Sequence, residues 1–344
     1  MRGIIRIFIV SFLSVILQSC YLIKNAYYFN NLYRSRRDIG EVIKDPKVSD
    51  KTKQGLKLVL EILEYANNQG LNTSDKYTQY IDVGDRPVSY LVEAAEADQL
   101  KQVTWWFPIV GEVPYLGYYE KKERDEKASL LSKEGYDVLT AEADAFSGLG
   151  WIRDPILSSY LEGGEASVAN LLFHELTHAT LWVPGSVVFN ENFASYIADV
   201  LTIEFLEKRN RSEELAKYTI KKSDREIFEK WLHEIRNSLE NLYSQRLKID
   251  SKELFKKKAQ IFNEFLTQKR PKFYRFDYIG KHEWNNAHVL GAALYVSKIK
   301  DFARAKSCLS PITVREFLKR VGEEVKTVKD PFEILNKFCK KMVE

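Results

Sequence analysis

The run ANLLFHELTHATL at residues 169–181 restricts what this chain can become more than any other segment. It is built of good helix formers with apolar residues on most sides, and a helix of that character is buried. Yet it carries His174, Glu175 and His178. Polar side chains taken out of water cost free energy unless something pairs with them. On a helix, positions i and i+4 share a face one turn apart, so His174 and His178 present two imidazole nitrogens to one point and Glu175 reaches a place beside it. The spacing is H-E-x-x-H. Two neutral nitrogen ligands, an open position and a carboxylate next to a bound water are the parts of a zinc hydrolase. With five histidines in 344 residues, a chance match is rare. The competing account is a core helix whose histidines are satisfied by hydrogen bonds alone.

A zinc site of this kind takes a third protein ligand downstream. The extended pattern with a third histidine is excluded, because Leu181 and Pro184 occupy its glycine and histidine positions. A glutamate on a following helix is the other source. Pro184-Gly185 stops the first helix and opens a turn. Asn190 has the chemistry of an N-cap and Glu191 then opens a second helix, so a tight helical hairpin brings Glu191 against His174 and His178. Acidic residues also favour the first turn of any helix; the preceding motif and turn favour the ligand reading. Asp199, two turns on, has two readings: a partner orienting a ligand histidine, or a solvated helix charge, the latter preferred.

The amino end has basic Arg2 and Arg6 and then an apolar stretch from Ile7 to Leu17, the length of a signal-peptide core and too short to span a bilayer. Leu17-Gln18-Ser19-Cys20 is similar to the lipobox of bacterial lipoproteins, with Gln18 departing from the usual small residue. The expectation is a leader over 1–19, acylation of Cys20 and a stable lipid anchor in the bacterial cell envelope, facing periplasm or cell surface. An ordinary signal peptide or an uncleaved anchor is the alternative. Cys308 and Cys339 remain, as one disulfide or as two buried thiols. Losing Arg2 and Arg6 from a net charge of +4 leaves the chain almost balanced, which excludes strong nucleic-acid binding.

Residues 20–50 read as a tether or first helix, helical over Lys24 to Asp50, and residues 51–344 as one peptidase-like domain. Within it, 51–165 carries a helix (Lys51 to Asn68) and a small sheet from Tyr77 to Ala94, Val103 to Val113 and Tyr136 to Phe146, with a charged helix over Lys121 to Glu134. Residues 166–344 are helical. Glu226 to Gln245 and Ser251 to Lys269 suggest two long exposed helices, a solvated face or, alternatively, a partner-binding hairpin. Lys281 to Ile299 returns to an apolar helix with Asn285, Asn286, His288 and Tyr295, and Thr313 to Glu344 is an amphipathic closing helix.

Several separated motifs resemble those of a bacterial family of predicted aminopeptidases, many of them lipoproteins. They are TWWFPIVGEVPYLGYY (104–119), EGYDV (134–138), AFSGLGWIRDPIL (145–157), HELTHATLWV, FNENFAS (189–195) and NNA (285–287), spread from about Leu56 to Tyr295. The resemblance implies a zincin of the glutamate type (gluzincin), α+β and predominantly α, its small N-terminal sheet packed on the H-E-x-x-H helix. It implies Zn²⁺ on His174, His178 and Glu191, with Glu175 as base. In zincins an edge strand binds peptide in extended form; Ala145 to Gly150 is the place expected here, with Gly148 allowing close approach. Asn286 matches the family motif and is the candidate for substrate backbone, while Tyr295 and His288 are chemically suited to stabilise an oxyanion. The expected activity is a membrane-anchored metallopeptidase on peptide or protein substrates. No G-x-M-E-N motif is present to mark an aminopeptidase. The rivals are a non-catalytic lipoprotein with a structural zinc and a hydrolase of non-peptide amides.

Overall fold

The computed structural model describes residues 24, 27, 28, 30–84, 86–107, 111–143, 154–271, 279 and 283–340. The architecture is α+β and mainly helical, with three small sheets gathered in the first half of the chain. The centre is a helical hairpin, α4 (Glu165–Thr180) and α5 (Val187–Lys208). Gly164, at φ +80°, lets the chain turn directly into α4, a conformation closed to most side chains. Glu165 favours the first turn, and it also accepts from Arg209 at 2.7 Å and meets Arg211 at 3.0 Å. Both arginines follow the end of α5, so the open end of the hairpin is tied by charge. The closed end is Pro184-Gly185, with Gly185 at φ +73°.

Asn190 secures that turn. Its Oδ1 accepts from Val183 N–H at 2.9 Å and its Nδ2 donates to Val183 C=O at 2.8 Å. This corrects the expected helix start: α5 begins at Val187, Asn190 is inside it, and Glu191 lies in its second turn. A buried asparagine pairing like a strand segment resembles an N-cap in sequence and does a different job.

The hairpin is packed on both sides. Leu56, Val59 and Ile62 of α2 (Asp50–Asn68) cover one face, with Tyr65 and Phe205 against Phe173. Phe302 of α9 (Ile299–Cys308), Phe317 of α10 (Val314–Glu324) and Phe338 of α11 (Glu333–Lys340) join Phe189 and Phe193 in the same core. Cys308 and Cys339 form a disulfide tying α9 to α11. It closes a loop of 31 residues. A cross-link of that span stabilises by about 3.7 kcal/mol in the chain-entropy account. Chemical denaturation of the Cys308→Ser, Cys339→Ser protein is expected to show a loss of that size with the fold retained.

The segment from 24 to 50 is not one helix. Residues 30–34 are helical, but a two-residue strand β1 (Arg37–Asp38) intervenes before α1 (Ile39–Lys44), where Asp38 caps the new helix through Gly40 and Glu41 N–H. β1 pairs with β2 (Gln79–Ile81), which runs parallel to β8 (Ile156–Leu157). The second sheet has β3 (Ser89–Ala95) at its centre, antiparallel to β6 (Tyr115–Tyr118) and β7 (Asp137–Ala143). α3 (Lys121–Lys133) lies on it. β4 (Trp105–Phe107) and β5 (Gly111–Val113) form a separate hairpin. Among the described residues the expected single sheet is therefore three, most of whose strands are only two to four residues long.

α6 (Ser212–Tyr243) and α7 (Ser251–Thr267) are longer or shorter than expected and are not simply exposed. Phe228, Trp231, Leu232, Ile235, Leu239 and Leu242 make an i, i+3, i+4 stripe that builds a second core with Phe262, Phe265 and α8 (Asn286–Val296).

α8 is anchored by the two asparagines at its start. Asn285 caps it through His288 N–H and donates to Val138 C=O of β7 at 2.9 Å. Asn286 donates to Glu96 C=O at 2.9 Å and Gln99 C=O at 3.2 Å, accepts from Tyr243 hydroxyl at 2.8 Å, and gives its own N–H to Asp137 at 2.7 Å. The sheet, α6 and α8 are locked at one point. Among the described residues no helix is long and apolar enough to cross a membrane.

Candidate metal centre

His174 and His178 occupy successive turns of α4 and face Glu191 across the hairpin. His174 Nε2 is 3.2 Å from Glu191 Oε2 and 3.0 Å from His178 Nε2, and His178 Nε2 is 3.5 Å from Glu191 Oε1. A tetrahedral ion with bonds of about 2.1 Å needs ligand atoms about 3.4 Å apart. The three separations fit that requirement, and the three residues form a group that could hold a metal ion. Nitrogen lone pairs that face one another this closely need a shared cation or proton between them.

The local electrostatics favour positive charge. Burial alone would push the Glu191 carboxyl up, but the hydrogen bonds and charges of His174 and His178 outweigh it and hold it well below the usual carboxylate range. Burial likewise disfavours a charged His174 ring, yet the hydrogen bond to Glu191 and the charges of Glu175, Glu191 and Asp199 prevail and raise its pKa. Asp199 is not a solvated charge, as expected from the sequence. It is 2% exposed, accepts from the Tyr218 hydroxyl at 2.5 Å and is paired with Arg225, both on α6. Its charge reaches His174 without a hydrogen bond to the ring among the described residues. The outward Nδ1 of His178 also has no hydrogen-bond partner among them.

Tyr295 follows Leu294 on α8. Asn192, beside Glu191, donates to Leu294 C=O at 2.8 Å, which sets α8 against α5 next to the ligand. Burial, then the charges of Glu191, Glu93 and Glu175 and the neighbouring Tyr115, push the Tyr295 phenol well above its ordinary value. The side chain is also 44% exposed. The phenol is thus kept protonated on a residue that is partly open to solvent.

Asn286 is placed elsewhere. It is fully buried and its amide is spent on the clamp described above, which leaves nothing for substrate and corrects the sequence expectation. His288 stacks on Trp284 and meets Asn285 Oδ1 at 2.8 Å, and so belongs to the helix start. Gly148, the strand expected over 145–150, and Cys20 lie outside the described residues.

Two groups escaped sequence reading. Tyr77 is completely buried, holds φ +55°, and its hydroxyl has no partner among the described residues; after burial, the charge of Glu175 acts on it most strongly. Glu93 is a carboxylate buried in β3. The one sequence signal for it was a charge in the otherwise inward-facing run VEAA.

The family model described as "Putative aminopeptidase" matches residues 20–326. The chain belongs to this family. No curated protein and no solved structure matches it. As a member of the Putative aminopeptidase family, the chain is assigned at the coarse level to the peptidases. The match spans α4, α5 and α8, and thus every residue of the centre described above.

Proposed function

We propose that the protein is a zinc-dependent metallopeptidase of the gluzincin type, held at the bacterial cell envelope by a lipid on Cys20. The observation that carries this reading is the convergence of His174, His178 and Glu191 with Glu175 beside them and uncommitted to the ligand set. Two imidazoles and one carboxylate are a catalytic zinc donor set that keeps a fourth position open. Zn²⁺ bound there would supply Lewis acidity, polarising a carbonyl and lowering the pKa of water.

The chain's own groups divide the remaining work. Glu175 takes the proton from the attacking water and later delivers it to the leaving amine nitrogen. Tyr295 donates its hydroxyl proton in a hydrogen bond to the oxygen that gains negative charge. Glu191 neutralises part of the metal's charge, and Asp199 adds to the negative field around His174. A purely structural site has no use for Glu175, which sets this reading above a non-catalytic binding lipoprotein. Support for the anchor is that the family match begins at Cys20, the residue expected to follow the cleaved leader. Peptides or proteins are the proposed substrates; the almost balanced charge gives no support to strong nucleic-acid binding. The finer aminopeptidase assignment follows the family description.

Zinc content of the purified protein beside its Glu191→Ala variant tests the reading. One zinc per chain is expected in the wild type, with affinity reduced at least about 100-fold in the variant, since losing even an outer-shell partner costs 10–100-fold. A correctly folded wild type that takes up no zinc overturns the proposal and leaves the binding lipoprotein in its place.

A further inference from the structure

Glu93 is 6% exposed, in the central strand of its sheet, opposite Tyr115 on β6 and Leu139 on β7. One oxygen accepts from Gln102 Nε2 at 3.0 Å. Among the described residues no other hydrogen bond reaches the carboxylate and no Lys, Arg or His pairs with it. A buried carboxylate facing a neutral amide is an expensive arrangement, and burial pushes its carboxyl up to about 7, with Gln102 offsetting only part. Nothing in the packing of the strand calls for a charge here, since its neighbours Val92, Ala94 and Ala95 are fully buried apolar residues.

Its position relative to the metal centre is fixed by α8. A Cβ added at Gly291 would lie 2.6 Å from Glu93 Oε2, so the carboxylate occupies space that only a glycine leaves free. Gly291 and Tyr295 are four residues apart on one face of the helix, about 6 Å along its axis. Glu93 and Glu191 both act on the Tyr295 phenol. A carboxyl group with no cationic partner among the described residues therefore stands one helical turn from Tyr295. In a substrate cleaved after its first residue, the α-ammonium nitrogen is two bonds from that carbonyl carbon.

We propose that Glu93 is the anchor for the substrate's free α-ammonium group, which makes the protein an exopeptidase acting at amino termini. This rests on the peptidase reading above and supplies the residue that an aminopeptidase needs. The ammonium would give Glu93 a cationic partner that no described residue supplies, while Gln102 Nε2 holds one of its oxygens. Truncating one partner of a buried, hydrogen-bonded charge pair costs several kcal/mol, so the loss is expected to be at least about 30-fold in affinity.

The test is calorimetric titration of L-leucinamide and N-acetyl-L-leucinamide into the zinc-free and zinc-loaded full protein, as wild type, Glu93→Gln and Gly291→Ala. Hydrolysis of the corresponding leucyl and acetyl-leucyl anilides by the zinc-loaded forms is followed in parallel. The wild type is expected to prefer the free amine at least about 30-fold even without zinc. Glu93→Gln erases the preference with zinc content unchanged. Gly291→Ala, which displaces the carboxylate without removing it, weakens the preference and gives a second route should the Gln variant not fold. Equal binding of the two amides by the wild type, or a preference that survives Glu93→Gln, overturns the ammonium site. Hydrolysis without amine preference sinks the site and leaves the peptidase reading standing; amine preference without hydrolysis does the reverse.

Discussion

Glu175→Gln is expected to leave the protein folded and zinc-loaded while lowering kcat by about 10³-fold, within the range that a positioned general base contributes. The substitution keeps the size of the side chain and removes only its capacity to take and return a proton. None of the ligand atoms belongs to Glu175, so the geometry of His174, His178 and Glu191 has no reason to change. Zinc content and thermal stability serve as the controls, and single-turnover hydrolysis of a peptide amide is the measurement. Turnover within tenfold of wild type, in protein freed of contaminating peptidase, would mean that Glu175 is not the base.

The second large effect concerns stability in the metal-free protein. The Glu93 carboxyl rises from 4.5 in the unfolded chain to about 7 in the fold. A raised carboxyl means the folded state holds its proton more tightly than the unfolded state does. The associated stability is fully present below about pH 4.5 and is lost as pH climbs through about 7. A shift of that size corresponds to about 3 kcal/mol. Glu93→Gln removes the titration, so the variant should gain on the wild type by roughly that amount between pH 4 and pH 8. Urea denaturation at a series of pH values checks it. A wild type and variant whose stability difference is flat across this interval would show that Glu93 is paired in solution, contrary to the structure. The residue is then a liability for stability that a binding role offsets.

How much of this was legible in the sequence depends on how local the information is. His174, Glu175 and His178 were readable because a helical turn fixes i and i+4 without reference to the rest of the fold. Glu191 meets the two histidines as expected, but from the second turn of its helix and not the first. Asn190 and its neighbours carry the composition of a helix start, while the bonds it makes reach seven residues back to Val183. Tyr295 could be named for its chemistry alone. Asn286 could not be told from a substrate-binding amide, because its partners at Glu96, Gln99 and Tyr243 are distant in sequence. Glu93 showed in the sequence only as a charge within the run VEAA, since its meaning lies in what surrounds it. Charged residues along α6 hid an apolar stripe that periodicity contained all along.

The asparagine clamp at the start of α8 also sets a schedule. Asn286 bonds to backbone 187 to 190 residues earlier in the chain, and Tyr295 follows it by only nine positions in the sequence. A ribosome making this protein from its amino end therefore releases the H-E-x-x-H helix long before α8. His174, His178 and Glu191 are thus made early, while Gly291 under Glu93 and Tyr295 come late in synthesis. Under the peptidase proposal, a chain made in that order lacks Tyr295, and so its full set of reacting groups, until most of it has been synthesised.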